Sequence, residues 1–200
     1  ILSRDDGRVG RLHQPVRSEL RLEPLDHDAP LCRRHRGDPV LAAAVGLALA
    51  TIPAVVERGV LIRKFAAKIA RRRLRSLMNL PQGPEPDTAG YKGFFYHFLD
   101  IDTGRRVWNC ELSTLDSAFL FAGALTCASY FDADTEEEAD VRSLVDALYS
   151  RADWDWACNG GPTLTHGWKP ETGFLPYRYQ GYDEGLLLYL LALGSPTLPL

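Results

Sequence analysis

The sequence predicts an all-α chain folded as a helical barrel, an α/α toroid, with small β-hairpins in its long loops. Three observations carry that expectation. Helix-like segments alternate between runs that are apolar on every side and runs that are apolar on one side only, the pattern of inner helices surrounded by neighbours and outer helices facing water. Links from an all-apolar run to a one-sided run are short, and links in the other direction are long. In an up-and-down arrangement both long links fall at one end of the barrel, and they carry most of the rings with acids among them.

The elements follow in chain order. The first inner run starts after Asp38, "PVLAAAVGLALATIPAVV", and ends near Glu57. It also fits a membrane span or a signal-peptide apolar region behind the Arg-rich "CRRHR". A span needs about 20 residues, this run is slightly short and carries Pro53, and the inner-helix reading is preferred. "LIRKFAAKIARRRLRSLMNL" is amphipathic, with Phe65, Ile69, Leu74 and Leu77 on one face and a basic face opposite. "LSTLDSAFLFAGALTCASYF" is again inner, with Ser113 and Asp116 at capping-box-like spacing. "TEEEADVRSLVDALYSRAD" is outer, through Val141, Leu144, Val145 and Leu148, with Thr135 and Glu138 as a capping box. "GYDEGLLLYLLALG" is the last inner run, stopped by Gly194 and Pro196.

Composition bounds the partners. A 200-residue chain with 46% hydrophobic and 24% charged residues is globular, and a formal net charge of -3 gives no electrostatic reason for a nucleic-acid partner. A membrane partner is not expected either. Cys32, Cys110, Cys127 and Cys158 lack paired spacing and read as free thiols of a reducing compartment. Residues 1–37 are Arg-rich, without Lys or aromatic rings, and show no period; they read as a poorly structured segment ahead of a barrel domain over 38–200. A nucleic-acid-binding arm is the sharper alternative, and the interspersed acids speak against it. The chain starts at Ile1, not Met, and stops just after a helix-like run, so it is expected to be a piece of something longer.

The first long link, around Pro81–Cys110, is expected to carry a strand at Phe94–Leu99 and a turn at Asp102–Gly104. The second, around Ala152–Gln180, offers a hairpin through Trp168, a Lys169–Gly173 turn and Phe174–Tyr177. Rings interleaved with acids suit a sugar ligand, whose C–H faces pack on Trp and Tyr while its hydroxyls need acceptors. Cleaving a glycosidic bond takes two carboxyl groups flanking it, one held protonated and one ionised. Glu111 and Glu184 each sit at or just ahead of the first turn of an inner helix and would point into the same mouth. Either could instead be a plain helix-terminus charge. Asp100 and Glu171 are supporting or alternative acids. Asp102 is a natural turn residue, and Glu171 itself lies in a Pro-Glu-Thr-Gly turn. Trp108, Trp154, Trp156, Trp168, Tyr179 and Tyr182 are candidate sugar platforms, the Trp residues equally candidates for core, and Lys92, His97, Arg105 and Gln180 are candidate polar contacts. His97 and His166 with Cys110 or Cys158 lack ligand spacing, so no metal site is expected. No phosphate-cradling or nucleophile-elbow motif is present.

"GYKGFFYHFLDIDTGRRVWNCELSTLDSAFLFAGAL" and "GWKPETGFLPYRYQGYDEGLLLYLLALGSPTLPL" resemble the glycoamylase-like domain family, which includes bacterial endo-β-1,2-glucanases and is similar to a domain of cyclic β-1,2-glucan synthases. The resemblance runs from about Asp38 to the C-terminus. It implies an (α/α)6 barrel, action on β-glucosidic linkages, an oligo- or polysaccharide partner, and no cofactor or metal. The matching motifs are Gly93–Asp100, Cys110–Thr114, Trp168–Glu171 and Gly181–Glu184, and the family glutamates fall on Glu111 and Glu184. The full barrel implied has more than twice the helices counted here, so the chain is expected to be an N-terminal half, with a frameshifted or misassigned start before Asp38. Such a half is expected to expose its inner helices and self-associate, and to lack activity if the other half supplies an essential carboxylate. The alternatives are a non-catalytic glycan-binding or structural half-barrel, or a toroid enzyme of other chemistry.

Overall fold

The structure, a computed structural model, describes residues 39–196. The expectations for residues 1–37 and the role of Cys32 lie outside the described residues. All five expected helices form, as α1 (Ala42–Glu57), α2 (Arg63–Met78), α3 (Thr114–Tyr130), α4 (Glu136–Ser150) and α6 (Leu186–Gly194), together with the short α5 (Trp154–Cys158). The start of the first inner run is corrected: Pro39–Leu41 is a strand, β1, paired antiparallel with β4 (Phe98–Asp100).

α3 is the helix enclosed on several sides. It packs on α1, α4, α6 and the strand β3 (Phe94–Tyr96). It meets α1 through glycine: a Cβ on Gly123 would run into the Gly46 backbone, and one on Gly46 into the backbone of Phe119 and Leu120. α1 and α6 bury one side only among the described residues. Leu47 is exposed on α1, and Leu186, Leu190 and Leu193 are exposed on α6.

The face of α2 also departs from expectation. Ala66, Ala67, Ala70, Leu74 and Leu77 are buried, whereas Phe65 and Ile69 are exposed. Small side chains let α2 lie close to α4, and ion pairs flank the contact: Arg71 and Arg75 to Asp140, and Arg63 to Glu138. Both predicted caps form. Ser113 Oγ accepts from Asp116 N at 3.1 Å, and Thr135 Oγ1 accepts from Glu138 N at 3.4 Å.

The two long connections do not form separate hairpins. They merge in one antiparallel five-stranded sheet, ordered β2 (Gly90–Tyr91), β3, β5 (Leu112–Ser113), β6 (Gly167–Lys169), β7 (Gly173–Phe174). Lys92 and Gly93 form the two-residue turn between β2 and β3, both at positive φ (55° and 85°), as a type I′ hairpin requires. The strand β5 is the junction: Ser113 pairs with Phe95 on one side and with Gly167 on the other. No helix among the described residues is long and apolar enough to cross a membrane.

Candidate active site

The β3–β5 register brings the first candidates together. Phe95 faces Ser113 and Tyr96 faces Leu112. One step further His97 lies opposite Glu111, and His97 N donates to Glu111 O at 2.9 Å. On the other flank Leu112 faces Trp168 and Ser113 faces Gly167, so Lys169 falls beside Glu111. Strand alternation then puts Phe95, His97, Glu111, Ser113 and Lys169 on one face of the sheet. Gly167 is needed there, because a Cβ would collide with the Leu112 carbonyl next to the Glu111 side chain.

On this face His97 Nδ1 lies 2.9 Å from Glu111 Oε1, and His97 Nε2 lies 3.7 Å from Asp116 Oδ2. Ser113 Oγ donates to Asp116 Oδ2 at 2.5 Å. The His97 ring stacks on Phe98 at 4.3 Å and 10°, and Phe98 in turn meets Trp108 at 5.1 Å. Half-burial pushes the Glu111 carboxyl up, but the His97 hydrogen bond, a backbone N–H and the nearby His97 and Lys169 outweigh it and hold the group below its ordinary range.

The other acids are placed differently. Glu184 lies in the turn ahead of α6, exposed, and forms no hydrogen bond or ion pair among the described residues. It reaches the same neighbourhood through Tyr179, whose phenol is pushed up by burial and by the negative charges of Glu184, Asp116 and Asp183. Tyr179 is buried, stacks on His166 at 4.0 Å, and its carbonyl accepts from Tyr189 Oη at 2.8 Å. Asp183 ties this turn together, accepting from Gln180 N and Gly185 N at 3.0 and 2.8 Å.

Two of the proposed acids are otherwise engaged. Asp100 Oδ1 accepts from the backbone of Asp102 and Thr103 and from the Thr103 hydroxyl. It is a turn-forming carboxylate, kept low chiefly by the Thr103 N–H. Glu171 takes both of its oxygens to Arg106, at 2.7 and 3.1 Å, and this bond holds its carboxyl below the usual range.

Among the rings, Trp108 is exposed at positive φ (56°), and Tyr182 is fully exposed. Trp154 is corrected to core: it is 0% exposed against Phe94 and Phe121 and presents no face to a ligand. Trp156 and Trp168 pack with Tyr91 and Phe174, and the register puts Trp168 on the sheet face away from Glu111. Lys92 pairs with Asp153 at 3.0 Å, and Arg105 pairs with Asp87. Their partners lie away from Glu111. Gln180 is exposed, with its backbone N–H on Asp183.

Asp116 and Lys169 are the members of the cluster that the sequence did not single out. Asp116 was legible only as a helix cap, and Lys169 only as a turn residue inside the Trp168–Glu171 motif. Among the described residues no group of three or more His, Cys, Asp or Glu side chains could hold a metal ion. Cys110, Cys127 and Cys158 are free, and burial pushes the Cys127 thiol up to about 12.

No family model matches the chain. A curated Parabacteroides distasonis protein, an exo β-1,2-glucooligosaccharide sophorohydrolase acting at the non-reducing end, is 26% identical over 169 residues, covering 80% of this chain and 22% of the relative. An endo-β-1,2-glucanase from Chitinophaga pinensis, solved with sophorotriose and glucose, superposes with a TM-score of 0.72 at 22% identity, over 81% of this chain and 38% of that one. A β-1,2-glucanase from Parabacteroides distasonis superposes with a TM-score of 0.72 at 24% identity, over 82% of this chain and 23% of that one. The chain therefore shares the fold of these enzymes and resembles the glycoamylase-like domain family, while it spans between about a fifth and two fifths of the relatives it matches.

Proposed function

We propose that the chain is glycoside hydrolase-like and acts on β-1,2-glucan or a related β-glucan, with Glu111 and Glu184 as the paired carboxyl groups. The observation that carries the reading is the half-buried Glu111, fixed against His97 at the start of the central strand of a sheet built from both long connections. The β-1,2-glucan chemistry of the relatives named above supports the substrate class. The helices fit the N-terminal half of an (α/α)6 toroid, with residues 38–200 as the barrel part.

In this reading Glu111 stays ionised and serves as base or nucleophile, while Glu184, exposed in its turn, delivers the proton to the leaving oxygen. The two routes differ in carboxyl separation, about 6.5–9.5 Å for inversion and about 5–5.5 Å for retention. Trp108 offers the exposed ring for a sugar face, with Tyr182 and Gln180 lining the Glu184 side. Asp100, Glu171 and Trp154 act on the fold rather than on the sugar.

The test is turnover of linear β-1,2-glucan by the purified chain, read by reducing ends and product chromatography beside a β-1,4-glucan control. Selective hydrolysis of the β-1,2 substrate supports the reading. Saccharide binding without turnover would replace it with the non-catalytic half-barrel.

A further inference from the structure

We propose that His97 is a positioning residue that bridges Glu111 and Asp116, fixing Glu111 as the carboxylate partner of the reaction rather than its proton donor. The inference rests on the glucan-hydrolysing reading and adds to it the residue that holds Glu111 in place.

Three constraints fix the ring. The β3–β5 pairing anchors the His97 backbone to Glu111. Phe98 covers one ring face at 4.3 Å and 10°. The two ring nitrogens then address two different carboxylates, Glu111 Oε1 at 2.9 Å and Asp116 Oδ2 at 3.7 Å. Asp116 is itself held, by the Ser113 hydroxyl and by its place in the first turn of α3. A neutral imidazole can donate from one nitrogen only. Donation from Nδ1 to Glu111 gives the short contact and leaves Nε2 bare towards Asp116, in keeping with the longer gap. If the ring takes up a proton, both nitrogens donate and the bridge closes on Asp116.

The charged and titratable groups facing this bridge come from every neighbouring element. Lys169 on β6 acts on Glu111. Tyr179, from the segment after β7, sits within the fields of Asp116, Asp183 and Glu184, and His166 stacks on its ring. Lys169 and His97 favour charge on Glu111 from opposite sides of β5. Glu184 has no such partner among the described residues, and the proton-delivering role is assigned to it.

The test uses the full chain with selectively 13Cδ-labelled glutamate. The Glu111 resonance is assigned by its loss in Glu111→Gln and titrated in wild type, His97→Gln and His97→Ala, with folding checked by near-UV circular dichroism. The Glu111 midpoint is expected to move to higher pH in His97→Ala and by less in His97→Gln, which keeps one donor. On β-1,2-glucan, His97→Ala is expected to lower kcat about 10²-fold through misplacement of Glu111, with KM little changed. The acid limb of its kcat/KM profile is expected to shift to higher pH. His97→Gln restores part of the rate. An unchanged Glu111 midpoint in a folded His97 variant overturns the proposal, as does a rate loss with an unmoved acid limb. A wild type without turnover contradicts the glucan reading alone, and the titration still decides on His97.

Discussion

Arg106 closes on Glu171 with two hydrogen bonds, of 2.7 and 3.1 Å, across 65 residues of chain. The guanidinium also donates to Cys110 O at 2.5 Å and lies over the Tyr96 ring at 4.7 Å. It therefore pins the first long connection to the β6–β7 turn of the second. The Arg106 side chain is 1% exposed, so its charge depends on these partners. Arg106→Met removes the pin and leaves the Cys110 carbonyl unpaired. We expect a cost of about 2 kcal/mol, read as a lower urea midpoint.

A second buried pair joins α2 to α4. Glu138 is 4% exposed and takes Arg63 on both oxygens, with the Ala133 N–H on one of them. The Arg63 hydrogen bond is the main reason its carboxyl sits below the ordinary value of 4.5. A carboxyl with a depressed folded pKa stabilises above its unfolded pKa, and that contribution fades as pH falls below about 4.5 and through the lower folded value. Glu138→Gln is expected to cost about 2–3 kcal/mol at neutral pH, less than for a fully buried pair because Arg63 remains 36% exposed. The difference from wild type should shrink in urea melts between pH 5 and 3.

The inner helices touch where Gly46 meets Gly123. Gly123→Ala must push α1 away from α3, and overpacking of this kind costs about 1–3 kcal/mol. The expected result is a lower thermal midpoint. A rise would contradict the close Gly46–Gly123 contact.

Two tryptophans separate fold from function. Trp154→Ala empties a core site and is expected to cost about 3–5 kcal/mol. Trp108→Ala is expected to leave the melting point within a degree or two, since surface substitutions stay within about 0.5 kcal/mol. It should weaken binding of a β-1,2-linked oligosaccharide measured by calorimetry.

The helices were legible because their information is local. Thr135 with Glu138, and Ser113 with Asp116, mark two helix starts within a single turn each, and Gly194 and Pro196 mark a stop. The sheet was not legible in the same way. Ser113 pairs with Gly167 across more than fifty residues, and strands of two or three residues leave almost no periodic trace. The α2 face went astray because Phe65 and Ile69 outweigh alanines on any hydropathy count, whereas helix contact with α4 selects Ala66 and Ala70 for size. At the site, Glu111 and His97 could be picked out by residue type and position. Asp116 could not, because its cap role already accounted for it, and only the folded register shows its approach to His97.

The most direct measurement compares wild type, Glu111→Gln and Glu184→Gln on linear β-1,2-glucan, with each chain shown to be folded by circular dichroism. The account predicts hydrolysis by the wild type and a loss of about 10²-fold or more in each variant, with oligosaccharide binding retained in both. Hydrolysis that survives either substitution at close to the wild-type rate would contradict it.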